Sequence, residues 1–319
     1  MSFASDVRKE LAKVPMEKKC CAQAELLGAI LASGGLHFKG LGRYGISVNV
    51  DSGETAQRYL SLFKRFEHVS CEMTASETAR LGGQTRYQVT PEESDVPLVL
   101  RSLRLIDKAQ PFGLRHEPAP EMIKGECCAR SFLRGAYLAG GSTGNPEHAY
   151  HLEIAVGDET LAQALVKLLE GMGVLAKYTN RKGTFVVYIK EGAYMAQVLT
   201  LMGAHKALMD FENLRIVKEV RNEVNRQMNC DSANTDKAIL AAEKQISIIT
   251  TIERRRGLSI LPAPLRAIAE LRLKYPDASL MELGELLEPK LGKSGVNARM
   301  RKLEALAESL VNEEQAPLL

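Results

Sequence analysis

The densest group of residues able to do chemistry lies near the C-terminus. Residues 290–303 contain no carboxylate and five cations, which are Lys290, Lys293, Arg299, Arg301 and Lys302. Ser294 is placed to cap a helix over 295–310, and Asn297 lies one helical turn before Arg301. Cationic side chains bind phosphate, and Asn and Arg can hydrogen-bond to base edges. The pattern therefore predicts a nucleic-acid-binding helix.

Six cysteines could bind a metal ion or form disulfides. They are Cys20, Cys21, Cys71, Cys127, Cys128 and Cys230. None has the Cys-Xaa-Xaa-Cys spacing of a zinc site, and two adjacent cysteines are poorly placed to bridge each other or to share a tetrahedral ion. We therefore expect reduced thiols, buried at the starts of two helices, and we predict no metal site and no cofactor.

Three further groups of cations are weaker candidates for contacts to DNA. Arg181 and Lys182 lie in a charged turn, where a solvated side chain is the commoner outcome. Arg215 and Lys218 share a polar face within 211–229, which equally suits a surface helix that packs on its own domain. The third group is Arg254, Arg255 and Arg256. These cations suit the C-terminal end of a helix, where they meet the helix dipole, as well as a phosphate contact.

The elements that position these residues include two copies of one sequence. Residues 20–34 and 127–141 align without gaps and are identical at nine of fifteen positions. Gly28 and Ala32 in the first copy, and Gly135 and Ala139 in the second, place small residues on one helix face, which lets two backbones approach closely. We therefore predict an internal duplication whose two motif helices pack against each other.

The segments after each motif helix follow the same order. Alternation and β-branched residues predict strands over 152–156 and 184–189, and apolar periodicity predicts helices over 95–105 and 160–169. The order helix, two strands, helix, two strands, helix is found twice. It predicts an α+β domain over 1–228 with two αββαββα-type repeats, about 20–110 and 127–205.

The last third of the chain predicts a separate helical domain. Asparagine and serine residues within 225–234 are typical of caps or turns before a long helix, so we expect a linker helix within 229–257. Three short helices are then predicted over 265–275, 280–287 and 295–310, the second of them capped by Ser279. A tight connection between the second and third predicts an all-α helix-turn-helix domain over 258–319.

The pattern Leu-Xaa-Gly-Xaa-Xaa-Xaa-Ala-Xaa-Gly, at 26–34 and 133–141, resembles the signature of the LAGLIDADG homing endonucleases. This resemblance implies a pseudo-twofold domain whose paired motif helices lie above a saddle-shaped DNA-binding sheet. In that family the eighth motif position is an acid that holds the catalytic metal, whereas this chain has Ser33 and Gly140 there. Because Mg²⁺ needs carboxylate oxygens, we predict the fold without catalytic residues. The alternative is a residual nuclease that recruits Glu153 or Asp158.

Composition sets broader limits. With 319 residues and 45% apolar side chains, the chain can form two domains with cores of their own. A net charge of +3 permits a nucleic-acid partner without arguing for one. The N-terminal segment is amphipathic and contains acids, unlike a signal peptide, and no apolar run is long enough to span a membrane. We expect a cytoplasmic protein, and the sequence carries no signal for an oligomeric state.

Several further segments have specific sequences, namely residues 1–11, both Cys-Cys motif helices, and residues 150–154, 203–205, 211–222, 229–234 and 292–303. These segments are similar to those of the WhiA family of bacterial regulators. The resemblance covers essentially the whole chain. It implies a nucleoid-associated transcription factor that binds double-stranded DNA and is linked to cell division, chromosome segregation and, where the host sporulates, sporulation. Another transcription regulator is a further candidate partner, and the alternative function is a protein-interaction scaffold with weak DNA affinity.

Overall fold

The computed structural model describes residues 2–16, 18–65, 69–78, 84–107, 109 and 113–315. The chain divides into two units, Met1–Glu219 and Val220–Leu319. Each unit has its own apolar core. The first unit is α+β and the second is helical, which confirms the predicted fold class. Among the described residues, no helix is both long enough and apolar enough to cross a bilayer.

The first repeat follows a short helix, α1 (Phe3–Leu11). In chain order it contains α2 (Lys19–Ala32), β1 (Leu36–Gly40), β2 (Arg43–Ile46), β3 (Val48–Val50), α3 (Gly53–Lys64), β4 (Cys71–Thr78), β5 (Gln84–Pro91) and α4 (Val96–Ser102). Strands β1 and β2 form an antiparallel hairpin, and the other strands form an antiparallel sheet in the order β3-β5-β4. The Ser2 and Ser52 hydroxyls cap α1 and α3.

The second repeat follows α5 (Pro120–Ile123). It contains α6 (Glu126–Gly140), β6 (Gly141–Thr143), β7 (Leu152–Val156), α7 (Glu159–Gly171), β8 (Lys177–Arg181), β9 (Thr184–Ile189) and α8 (Gly192–Met202). Its four strands form one antiparallel sheet in the order β6-β7-β9-β8. The strands predicted over 152–156 and 184–189 are confirmed as β7 and β9. The αββαββα order is confirmed in both repeats, with one additional strand in the first.

The two motif helices, α2 and α6, touch through their backbones. A Cβ atom at Gly28 would lie 2.2 Å from the Phe132 carbonyl oxygen, and one at Gly135 would lie 2.0 Å from the Glu25 carbonyl oxygen. No side chain fits into that space, so glycine at both positions is what permits the close approach. The prediction that each motif helix packs against the other is confirmed.

The C-terminal region consists of helices. After α9 (His205–Arg256) come α10 (Ala263–Lys274), α11 (Leu280–Glu285) and α12 (Lys293–Gln315). The predicted turn within 225–234 is wrong, because α9 is one helix of 52 residues. Its polar residues find partners inside the helix or in solvent; the Thr235 hydroxyl, for example, donates to the Asp231 carbonyl oxygen at 2.9 Å. Ile249 and Ile252 belong to the second core, so the end of α9 packs with α10 to α12.

Candidate nucleic-acid interface

The turn that leads into α11 is fixed by hydrogen bonds. The Ser279 hydroxyl accepts from the Glu282 backbone N–H at 3.2 Å, and the Ser279 N–H donates to the Glu282 carboxylate at 2.7 Å. That donation lowers the pKa of Glu282 below its ordinary value. Arg272, which is 2% exposed, donates to the carbonyl oxygens of Pro276 and Ala278. The predicted Ser279 cap is confirmed, and the angle between α10 and α11 is set by buried contacts.

The connection between α11 and α12 packs closely against the backbone of Gly284. The Leu291 N–H donates to the Gly284 carbonyl oxygen at 2.9 Å, and a Cβ atom at Gly284 would lie 2.0 Å from the Leu291 carbonyl oxygen. Val296, Met300 and Leu303 of α12 are buried in the second core. Because these three residues fix the rotation of α12, the opposite side of the helix faces solvent.

The residues predicted to bind DNA mostly lie on this solvent-facing side. Lys290, Lys293, Ser294, Arg301 and Lys302 are exposed, and Asn297 is half-buried. Positions 293, 297 and 301 follow each other at intervals of one turn and therefore share a face. The predicted capping role of Ser294 is wrong, because α12 begins at Lys293 and Ser294 is its second residue.

One predicted cation is used inside the domain. The Arg299 guanidinium, which is half-buried, donates to the Pro264 carbonyl oxygen on α10 at 3.2 Å. We define the α12 basic face as the four exposed cations that remain, Lys290, Lys293, Arg301 and Lys302. Glu304, one turn further along, forms an ion pair with Lys244, and this hydrogen bond raises the pKa of Lys244. The Glu304 carboxylate is therefore already paired.

The cations predicted on α9 pack against their own unit. Arg215 lies between Glu212 at 3.1 Å and Glu219 at 3.3 Å. The Lys218 ammonium donates to the His148 carbonyl oxygen at 2.9 Å and lies 4.9 Å from the centre of the Tyr150 ring. For this pair of cations the structure favours the packing alternative over a phosphate contact.

Of the three arginines at the end of α9, Arg255 forms a hydrogen bond within its own unit. Arg254, Arg255 and Arg256 are exposed. The Arg255 guanidinium donates to the Leu310 carbonyl oxygen near the end of α12 at 2.7 Å. This bond anchors α9 to α12, so Arg255 has a structural role, and its phosphate contact stays a prediction.

The sheets of the first unit carry charges of both signs. Arg181, at the end of β8, pairs with Glu153 at 3.2 Å, while Lys182 lies exposed in the hairpin turn with φ of +53°. On the other sheet, Arg86 pairs with Asp51 at 3.5 Å. A surface whose cations lie beside carboxylates attracts phosphate more weakly than one with cations alone. The exposed sheet surfaces therefore rank below the α12 basic face as candidates.

The two positions that carry metal-binding acids in the nucleases are occupied here by Ser33 and Gly140, and both residues are packed against neighbouring backbone. Ser33 ends α2, and its hydroxyl donates to the Ile30 carbonyl oxygen at 3.3 Å. A Cβ atom at Gly140 would lie 2.3 Å from the Ala155 carbonyl oxygen, so this position has no room for a carboxylate. Glu153 binds His151 and Arg181, and Asp158 caps α7. These residues do not fit the Mg²⁺ ligand set of the homing endonucleases.

The starts of the motif helices bring four cysteines together. Cys20, Cys21, Cys127 and Cys128 have sulfur atoms that all lie within 4.8 Å of one another. A hydrogen bond from Cys21 lowers the pKa of Cys127, while burial raises the pKa of Cys21 and of Cys128.

The prediction that these thiols are all buried is wrong for two of them, while the absence of a metal site stays a prediction. That prediction treated each adjacent pair of cysteines alone, whereas the helix contact brings the two pairs together. Cys20 and Cys127 are exposed rather than buried, whereas Cys21 and Cys128 are buried. The identical Cys-Cys pairs at one place in both copies of a duplicated helix, taken with the predicted helix pairing, were the signal for this grouping.

Together, the paired motif helices, the missing acids and the solvent-facing helix define a class. It combines a LAGLIDADG-like domain with a helix-turn-helix domain. The chain belongs to the WhiA family. Three family models match: the WhiA N-terminal LAGLIDADG-like domain over 19–106, the WhiA LAGLIDADG-like domain over 129–221 and the WhiA C-terminal HTH domain over 224–307.

Full-length relatives agree with the family models. The probable cell division protein WhiA of Heliobacterium modesticaldum is 41% identical over 318 residues, which cover 99% of each chain. That of Desulfitobacterium hafniense is 42% identical over 317 residues, covering 99% of this chain and 98% of the relative. The crystal structure of full-length DUF199/WhiA from Thermatoga maritima superposes with a TM-score of 0.59 at 27% identity, covering 97% of this chain and 99% of that chain.

Proposed function

We propose that this protein is a DNA-binding transcriptional regulator without enzymatic activity, which acts in cell division, chromosome segregation and, where the host sporulates, sporulation. Such a protein associates with the nucleoid. The names of the relatives support the link to cell division. The observation that carries DNA binding is the α12 basic face, because it exposes three cations on the third helix of a helix-turn-helix and a fourth, Lys290, just before that helix begins.

The arrangement of α12 suits both phosphate and base contacts. Lys290 and Lys293 flank the start of the helix, where backbone N–H groups are available to an anion. Asn297 and Arg301 follow on the same face and can reach base edges in the major groove. The sheet surface of the first unit, with Lys182 exposed, is a second and weaker DNA surface. Tethering the two would raise affinity through effective concentration.

The salt dependence of binding tests this proposal on the intact protein. If the four cations of the α12 basic face each displace one counterion, log affinity for a random-sequence duplex should fall against log salt concentration with a slope of about −4. Fluorescence anisotropy between low and moderate salt measures that slope. A complex insensitive to salt would contradict phosphate binding by this face, and a much steeper slope would bring the sheet surface into the contact.

Absence of nuclease activity is the second expectation. Supercoiled plasmid incubated with the intact protein and Mg²⁺ or Mn²⁺ should stay supercoiled, because positions 33 and 140 carry Ser and Gly and the latter has no space for an acid. Gel electrophoresis measures nicked and linear products. If metal-dependent products appear, Glu153→Gln is the variant that tests whether this carboxylate was recruited.

A protein-interaction scaffold is the alternative function, and α9 offers one observation in its favour. Its exposed face carries apolar side chains, among them Ile216, Val220, Val224 and Met228. Apolar residues on a solvent-facing helix are the usual contact points for a protein partner, here another transcription regulator. The scaffold predicts that cells tolerate the loss of the α12 basic face, whereas the regulator predicts that they do not.

A further inference from the structure

The four-cysteine cluster lies where the two repeats meet. Cys20 and Cys21 are the second and third residues of α2, and Cys127 and Cys128 are the second and third residues of α6. Both helices begin at the same end of the pair, since all four sulfurs lie within 4.8 Å of one another. Within the described residues, no other group of three or more His, Cys, Asp or Glu side chains meets the geometry of a metal site.

The separations fit a single ion. In a tetrahedral tetrathiolate with zinc–sulfur bonds of about 2.3 Å, the sulfur atoms lie about 3.8 Å apart. The present sulfur separations are at most 4.8 Å, which exceeds that value by no more than about 1 Å. An iron–sulfur cluster distributes its cysteines over several iron atoms and therefore needs a wider cage. The geometry selects one soft divalent ion over a cluster.

The surroundings supply both access and charge compensation. Cys20 and Cys127 are exposed, and a cleft of about 440 Å³ borders the cluster beside Lys18 and Arg130. A divalent ion with four thiolates carries a net charge of −2, which the positive ends of two helix dipoles and the Lys18 ammonium would stabilise. Access, thiolate ligands and compensating charge are all present at one end of the helix pair.

This location is remote from the nuclease-type position. Ser33 lies thirteen residues after Cys20 along α2, so the two ends are separated by roughly 20 Å at the helical rise. A metal bound by the cysteines would therefore brace the helix pair rather than meet DNA at the position of the missing acids. Its effect would be to join the first repeat to the second through four bonds of high strength.

We propose that Cys20, Cys21, Cys127 and Cys128 form a structural tetrathiolate site for one zinc-class divalent cation, which fastens the two motif helices together. Each cysteine contributes one thiolate, and four thiol protons are released to solvent when the ion binds. A disulfide between any two of these sulfurs, which all lie within 4.8 Å of one another, would remove two of the four thiolates. The site and the disulfides are mutually exclusive.

Titration of the full-length reduced protein with Co²⁺ tests the site. One equivalent should produce the thiolate charge-transfer and intense d–d absorption bands of tetrahedral four-sulfur coordination, and Zn²⁺ should abolish them by displacement. Zn²⁺ should also raise the midpoint of thermal unfolding by several degrees. The variant Cys20→Ser with Cys127→Ser changes only exposed side chains, and it should weaken metal affinity at least about a hundredfold.

The matched control is Cys230→Ser, which removes an exposed cysteine of α9 and should bind Co²⁺ as the natural sequence does. The proposal is overturned if the double variant gives the same Co²⁺ spectrum and stoichiometry as the control. It is equally overturned if the folded natural protein, verified by circular dichroism, binds no stoichiometric Co²⁺.

Discussion

Replacing Lys293, Arg301 and Lys302 together by alanine should lower the affinity for duplex DNA about a hundredfold at 0.15 M salt. All three side chains are exposed on the α12 basic face, so their loss removes charge without opening the core. Because the variant displaces three fewer counterions, the slope of log affinity against log salt concentration should become shallower, from about −4 to about −1. Fluorescence anisotropy on one random-sequence duplex, repeated across a salt series, measures both quantities.

The control for this experiment must remove the same net charge elsewhere. Lys124, Lys167 and Lys237 are exposed lysines outside the α12 basic face, and their triple alanine variant should change affinity less than about threefold. Equal losses for both variants would mean that net charge, rather than the α12 basic face, governs binding. If instead Arg181→Ala with Lys182→Ala causes the larger loss, the sheet of the first unit is the main DNA surface.

Much of the fold could be predicted because its signals are local. Strand β9 is a continuous run of β-branched and aromatic residues, and Ser279 stands three residues before Glu282 in a capping pattern. The duplication added a long-range prediction, since two helices with glycine on matching faces imply a close contact. Gly28 and Gly135 confirm that contact at atomic detail.

The remaining features depend on partners that are distant in sequence. Arg299 looked equivalent to Arg301, yet the offset of two residues, about 200° around the helix, directs it to the Pro264 carbonyl oxygen 35 residues earlier. Lys218 likewise lies over Tyr150, about 70 residues away. The continuity of α9 was missed because asparagine and serine favour caps only when their side chains bond to the backbone in a turn. Charge and propensity alone do not reveal these tertiary partners.

A buried ionic cluster was also missed, although one residue gave a signal. Glu25 is a carboxylate inside the apolar motif helix α2, and it is fully buried. It binds Arg58 of α3 at 2.5 Å and Arg134 of α6 at 2.7 Å. Arg58 also donates to the carbonyl oxygens of Ala12 and Val14, and Arg134 to that of Met202. One carboxylate thus joins α2 to α3 and α6 and, through the arginines, to neighbouring loops.

The charges of this cluster depend on one another. Burial lowers the pKa of Arg58, but the hydrogen bond and charge of Glu25 more than offset that effect, so its pKa is raised overall. Both arginine side chains are only 8% exposed, so neither can turn to water if the carboxylate is lost. Since Glu25 is the one carboxylate that the structure places between them, its removal leaves two buried cations facing each other.

We therefore expect Glu25→Gln to lower the free energy of unfolding of the first unit by about 3 to 5 kcal/mol. The substitution preserves volume and hydrogen-bonding atoms and removes only the charge, so the loss reports on the unpaired arginines. Chemical denaturation followed by circular dichroism measures it. Glu126→Gln is the control, because its carboxylate pairs with Arg130 at the surface of α6 and is 73% exposed. That change should cost less than about 1 kcal/mol.

A third variant separates the charge from the packing of this cluster. Replacing Glu25, Arg58 and Arg134 together by methionine removes every charge while keeping side chains of similar length. If desolvated charge is the cause of the loss in Glu25→Gln, the triple variant should recover most of the lost stability. If it is no more stable than Glu25→Gln, the arginine hydrogen bonds to the Ala12, Val14 and Met202 carbonyl oxygens hold the unit together. The electrostatic account would then be wrong, because the backbone groups left without donors would explain the whole loss.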